Sequence, residues 1–241
     1  MNLIIDIGNT SAKAAVMQGD KVIAKLKNRR FTKTWAEKIL SLHPEVKRAL
    51  VSNVAENVAE GIAVIRYHIP VHEVSAFSRV PFTNAYDTPE TLGTDRMANA
   101  AALVSLYPEQ NSLCVDIGTC VKFDFCTAEG AYQGGSISPG ISLRFQAMND
   151  YTRRLPLLTG ERFPPSITGE NTRNSMRSGV FYGMLHEIDG MIASYREQYT
   201  HLQVVITGGD AQHFVPALKS DIFARPDFTL LGLNKILELN A

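Results

Sequence analysis

No stretch of this sequence approaches the ~18 unbroken apolar residues of a membrane-spanning helix. Its first residues form a strand pattern, not a charged and then apolar leader. Both absences lead us to expect a soluble, cytoplasmic protein with no membrane partner. Charge of either sign is not in excess: 24 Lys and Arg face 24 Asp and Glu, and the pI is near 7.0. A nucleic-acid partner calls for a basic face. The one basic run, KNRR at 27–30, is too short for that and reads as a solvated loop. Cysteine is scarce: Cys114, Cys120 and Cys126 lack the CxxC spacing of a metal site and read as reduced, buried thiols. The six histidines form no metal-spaced pair apart from His68 and His72, which read as surface or strand residues. Neither GxGxxG nor a Walker A loop is present, which removes the two usual Gly-rich phosphate cradles.

What is present is a phrase used twice. LIIDIGNTSAK at 3–13 returns as LCVDIGTCVK at 113–122. Each is an apolar strand that runs into Asp, a spacer, Gly, Thr and then Lys. The surrounding pattern repeats too. Strand 2–6, an alternating SAKAAVM and strand 21–26 form a meander, followed by a helix in TKTWAEKILSLH capped by Thr32 or Thr34. RALVSNV reads as a buried strand, NVAEGIAVI as a helix and PVHEVS as a further strand. In the second half, strands 112–116, 120–126 and 131–137 make the second meander. Helices are expected at about 140–154 and 172–199, then strand LQVVIT and helices from about 210 and 232. The 241 residues thus read as two similar α/β domains, 1–110 and 111–241. In the long helix, Met176, Val180, Phe181, Met184, Leu185, Ile188, Met191 and Ile192 form one apolar core stripe. Gly179 and Gly183, one turn apart, would let another element approach closely.

A strand that ends in Asp-x-Gly presents backbone N–H groups at its tip, and glycine permits φ > 0 or close approach of a ligand. Such a tip suits phosphate oxygens. In the first phrase Gly8, Asn9, Thr10, Ser11 and Lys13 are the candidate contacts; in the second, Gly118 and Thr119. Asp6 cannot meet phosphate without repulsion, so it should act through a divalent metal or its water. One such turn is usually a plain β-turn, but two, each opening a meander, suggest jaws on one triphosphate. VVITGGD at 204–210 adds a strand ending in Gly208 and Gly209 before a helix, where a purine or ribose could lie against backbone.

The series DIGNT, DIGT and TGG resembles the actin, Hsp70 and sugar-kinase superfamily, with its phosphate-1, phosphate-2 and adenosine motifs. TLGTDR at 91–96, GGSISPG at 134–140 and GENTRNSMRSG at 169–179 narrow the resemblance to type III pantothenate kinases. It implies two duplicated ribonuclease H-like domains with a cleft between them, ATP with Mg²⁺, and phosphorylation of pantothenate. Taken alone, GTDR reads as a helix cap by Thr94 or Asp95; the resemblance makes Asp95 the general base and Arg96 the holder of the substrate carboxylate. Tyr86, Gly93, Thr94 and Thr172 join the substrate pocket on the same ground. GGSISPG alone reads as a strand-to-helix turn with Pro139 at the helix start; in the family it lies near the pocket and a homodimer contact.

The chain departs from the family pattern after the second DxGT, with Cys120 where Ala is expected and Lys122 where a small hydroxyl residue is. Asp116 matches the family position associated with a monovalent cation, K⁺ or NH₄⁺. The Lys122 ammonium could take that place, or it could face phosphate as Lys13 does. Two other classes fit parts of the pattern: a nucleotide-driven actin-like or chaperone-like ATPase, and a non-enzymatic transcription accessory protein. Neither needs GTDR.

Overall fold

The computed structural model describes residues 1–8, 11–53, 58–160 and 166–240. The chain divides into two compact units, Met1–Leu106 with Asp227–Ala241, and Tyr107–Pro226. Among the described residues no helix is long and apolar enough to cross a membrane.

The first unit is a mixed sheet of β1 (Asn2–Ile7), β2 (Ala12–Gln18), β3 (Lys21–Asn28), β4 (Arg48–Asn53) and β5 (Val71–Glu73) in the order β3-β2-β1-β4-β5. β1, β2 and β3 pair antiparallel, while β4 is parallel to β1 and β5 to β4. β1 is apolar along almost its whole length because both of its faces are covered. β3 lies at the edge, alternates between exposed and half-buried residues, and carries Lys21, Lys25 and Lys27. Lysines on an edge strand discourage pairing with another chain. Part of the KNRR run therefore blunts a sheet edge. α1 (Lys33–Leu42) is capped by Thr32, whose hydroxyl accepts from the Trp35 N–H at 3.3 Å. α2 (Ala59–His68) completes that face with α1. β6 (Thr83–Asn84) and a 3-10 turn at Pro89–Thr91 precede α3 (Thr94–Leu106).

The second unit repeats the plan. β7 (Ser112–Ile117), β8 (Cys120–Cys126), β9 (Ala131–Pro139), β10 (Gln203–Thr207) and β11 (Phe223–Ala224) follow the order β9-β8-β7-β10-β11. The first three pair antiparallel, β10 is parallel to β7 and β11 to β10. α4 (Ile141–Asp150) and the long α5 (Thr172–Gln198) pack on this sheet, and α6 (Ala211–Phe214) is short. The expected stripe of α5 forms its buried face, with Met191 half-buried and Phe181 stacked on Phe214 at 5.1 Å. Gly179 and Gly183 face outward instead: nothing stands within 4 Å of where a Cβ on Gly179 would lie, and Gly183 meets only the Arg144 side chain at 3.7 Å. No element among the described residues approaches closely there. Pro139 ends β9 rather than opening a helix, and Gly140 holds the N-cap position of α4.

The domain boundary differs from expectation at its far end. α7 (Phe228–Asn240) belongs to the first unit, not the second, and starts four residues before the expected position. Its Gly232 is the reason it fits. A Cβ there would lie 1.8 Å from the Ala98 carbonyl oxygen, so α7 lies backbone to backbone on the Ala-rich α3. Buried Asn234 accepts from the Asn2 side chain at 2.7 Å and donates to the Gly19 carbonyl at 3.1 Å. Lys25–Asp227 and Lys235–Asp20 (2.6 Å) join the same elements by ion pairs.

Candidate active site

In the first unit Asp6 is the last residue but one of β1, directly opposite Lys13 on β2 and opposite Ser52 on β4. Ser52 is buried, and its hydroxyl shares a 2.9 Å hydrogen bond with Thr94 Oγ1 at the start of α3. The strand end that carries Asp6 and the helix start that carries Asp95 are thereby joined through β4. Sequence reasoning missed Ser52; its signal was a small polar residue at the end of an otherwise apolar strand. Asp95 Oδ1 accepts from the Arg96 N–H at 2.8 Å, and a Cβ on Gly93 would stand 2.8 Å from that same oxygen. Glycine at 93 leaves room for the carboxylate. Arg96, expected exposed if it merely followed a cap, is only 5% exposed, and its guanidinium lies over the Tyr86 ring, 5.6 Å from the centroid. This contact has cation–π geometry. Tyr86, Gly93, Thr94, Asp95 and Arg96 therefore cluster at one helix N-terminus, where partial positive charge favours anions.

The Gly8 N–H closes the first turn on the Ser11 carbonyl at 3.0 Å, and Lys13 is exposed. Asn9 and Thr10 lie outside the described residues. In the second turn the Gly118 N–H bonds to the Cys120 carbonyl at 3.0 Å. Neither Gly8 nor Gly118 has positive φ, and both glycine amides close their own turns rather than pointing outward. Of the two reasons expected for these glycines, positive φ is therefore removed; a Cβ on Gly118 would meet only the Cys120 oxygen, at 4.0 Å.

The glycines that the backbone does require lie beside it. Gly208 has φ +100°, and a Cβ there would lie 2.2 Å from the Ile117 oxygen and 2.6 Å from Asp116 Oδ1. Gly140 donates to the Thr119 carbonyl at 3.0 Å, and a Cβ on it would stand 2.1 Å from the Gly118 oxygen. The Asp210 N–H reaches the Ile117 carbonyl at 3.0 Å, so three segments interlock around the second turn. Gly209 is exposed, with open space around it. Burial pushes the Asp210 carboxyl above its ordinary range, and the nearby His213 partly offsets this.

Asp116 is buried at the end of β7 and faces Lys122 across β8, with Nζ 2.7 Å from Oδ2. Thr207 of β10 is its other neighbour in register. Cys114 and Cys126 are buried, and burial, reinforced by the Asp124 carboxylate, raises both thiols far above neutrality. Cys120 is half-exposed at the turn, against the expectation of a buried thiol. Thr172 is the exposed first residue of α5 and not its cap; Asn171 caps the helix by accepting from the Asn174 N–H at 3.0 Å. It lines an open hollow of about 560 Å³ with Met148, Leu155 and Met176.

The family model for type III pantothenate kinase matches residues 2–194. This chain belongs to the type III pantothenate kinase family. It is 38% identical to the type III pantothenate kinase of Flavobacterium johnsoniae over 236 residues, covering 98% of this chain and 96% of that one. With the enzyme of Flavobacterium psychrophilum it shares 39% over 240 residues, 99% of each. Among solved structures, a Campylobacter jejuni protein named as a Baf family transcriptional activator superposes with a TM-score of 0.54. The two are 20% identical, over 99% of this chain and 97% of that one. The activator of the 2-hydroxyisocaproyl-CoA dehydratase from Clostridium difficile gives 0.53 at 13% identity, over 99% and 95%. At these identities the likeness is one of fold: a mixed α/β architecture with two sheets. Family membership makes this chain a phosphotransferase and sets aside the two non-kinase readings.

Proposed function

We propose that the chain passes the γ-phosphoryl group of ATP to the primary hydroxyl of pantothenate with Asp95 as general base, giving 4′-phosphopantothenate. Pantothenate phosphorylation in coenzyme A biosynthesis comes with the family; the roles of individual residues are our reading. The observation that carries it is the Ser52–Thr94 hydrogen bond, which couples the Asp6 strand end to the Asp95 helix start. Asp95 accepts the hydroxyl proton as the phosphoryl group leaves ATP, and Arg96 with Tyr86 and Thr94 orients the substrate carboxylate. A strong base is not needed, since phosphoryl transfer depends on alignment and charge neutralisation.

Gly8, Asn9, Thr10, Ser11, Lys13, Gly118 and Thr119 contact the phosphates, and Gly208 and Gly209 the adenosine. Both turns then serve one nucleotide, and the duplication and the cleft that the resemblance implies belong to this proposal. Asp6 and the nucleotide's own phosphates would hold Mg²⁺; one carboxylate fits that ion's habit of binding through one or two carboxylates plus substrate. Among the described residues no three His, Cys, Asp or Glu side chains form a cage of their own. When bound, Mg²⁺ neutralises charge on the transferring group. We place the enzyme in the cytoplasm, as a two-fold dimer whose α5 edge at Gly179 and Gly183 meets its copy and brings Thr172 to the partner's pocket. A monomer in sedimentation at working concentration would remove the dimer.

The test is Asp95→Asn. Pantothenate-dependent ADP release should fall roughly 10²-fold or more, with ATP-analogue binding and Tm unchanged. Near-normal turnover would overturn the assignment.

A further inference from the structure

We infer that Lys122 is a built-in substitute for a bound monovalent cation, so that this enzyme works without K⁺ or NH₄⁺. The inference rests on the kinase reading and deepens it at the second turn.

The chain itself holds one oxygen of the buried Asp116 carboxylate and crowds the other. Oδ2 lies 2.7 Å from Lys122 Nζ, with the two side chains 11% and 16% exposed. Oδ1 lies against Gly208, only 2.6 Å from where a Cβ would stand. Asp116 thus ties the lysine of β8 to the glycine turn that follows β10, at the point where Gly118–Thr119, Gly140 and Gly208–Asp210 interlock.

A monovalent cation does not fit beside this pair. K⁺ would need the carboxylate that the ammonium already holds. It would also stand within ~4 Å of a like charge, which at an effective dielectric of about 20 weakens binding by two to three orders of magnitude. The lysine head is itself an alkylated ammonium, chemically equivalent to one of the two ions that the family resemblance implies. Tethering it removes the entropy of capturing a free ion and leaves the site charged at every salt concentration. Cross-strand register accounts for its position: Lys122 is directly opposite Asp116 in the antiparallel pair, so both side chains emerge on one face.

The experiment compares wild type with Lys122→Thr in K⁺, NH₄⁺, Li⁺ and tetramethylammonium chlorides at equal ionic strength. Turnover, Tm and ATP-analogue affinity are the readouts. We expect wild-type turnover and Tm to vary less than about twofold and 1 °C among the salts. In Lys122→Thr, turnover should fall at least tenfold in Li⁺ or tetramethylammonium and return in K⁺ or NH₄⁺, with a Tm rise confined to those two ions. Wild-type activation of tenfold or more by K⁺ overturns the inference. So does a folded Lys122→Thr whose weakened ATP binding no cation restores, since Lys122 would then be a phosphate ligand only. Should Lys122→Thr not fold, the wild-type salt series decides alone. If wild type turns over pantothenate in no salt, the kinase reading has failed instead, and the cation-selective Tm shift still decides the role of Lys122.

Discussion

The two Asp-x-Gly turns have the same register and house their lysines differently. In the first, Asp6 faces Lys13 across a loop of four residues, and the lysine is exposed. In the second, Asp116 faces Lys122 across three residues, and the lysine is largely buried against the carboxylate. The same cross-strand pairing thus leaves one lysine open to solvent and closes the other on its carboxylate. The second is also braced by Gly140 and Gly208, each placed where a Cβ would strike backbone. A repeated phrase therefore does not imply a repeated role. In the proposed reading both turns meet phosphate, but the first does so with a metal at Asp6 and the second on a frame whose charge Lys122 already balances.

The largest effect that would break this comparison is at the aspartates. Asp6→Asn should lower turnover by roughly 10²-fold, raise the Mg²⁺ required and leave Tm nearly unchanged. Asp116→Asn should do the reverse to stability, because it strips a buried ammonium of its carboxylate; about 3 kcal/mol is the expected loss in urea titration. Equal stability losses at the two positions would mean the turns are alike.

The glycines sharpen it next. Gly208→Ala combines a positive φ with backbone contacts near 2.2 Å and should destabilise by roughly 3 kcal/mol. Gly118→Ala has room, so Tm should hold while KM for ATP rises about tenfold if the missing side chain makes space for phosphate. A variant with unchanged KM would leave Gly118 without a ligand role.

The smallest effect concerns Asp210, which follows the second unit's glycine pair. Its carboxyl is raised by burial, so the folded chain binds that proton more tightly than the unfolded one. Stability from this group is greatest below the ordinary carboxylate range and is lost as pH rises from about 4 toward the raised value. Asp210→Asn should therefore gain on wild type over that interval and then keep a constant margin. A margin independent of pH would exclude the titration.

Most elements were legible because their apolar patterns are local. β8 falls on its expected residues, and the α5 stripe is read correctly because eight apolar positions recur at helical spacing. Asp95 and Arg96 were legible only with the family resemblance beside them, since GTDR alone also describes a plain cap. What escaped depends on contacts across long separations. Gly232 looked like a helix start, yet it is mid-helix and exists for Ala98, more than a hundred residues away. Asn171 caps α5 beside Thr172, and both residue types can cap, so the sequence alone does not choose between them. Ser52 showed only as a small polar residue in an apolar strand, and its partner Thr94 lies forty-two residues further on.

The return of α7 to the first unit has a consequence for how the chain is made. The second unit is one continuous segment, 107–226, inserted between β5–α3 and α7 of the other. During synthesis, residues 1–106 emerge first but lack Phe228, Leu230, Leu231, Leu233, Ile236 and Leu237, which fill the space beside α3. The later segment can close its sheet while the earlier one waits with Ala98 and its neighbours uncovered. The first half to leave the ribosome is thus the last to be finished. Until then the α3 surface that α7 will cover is open to chaperones and to aggregation.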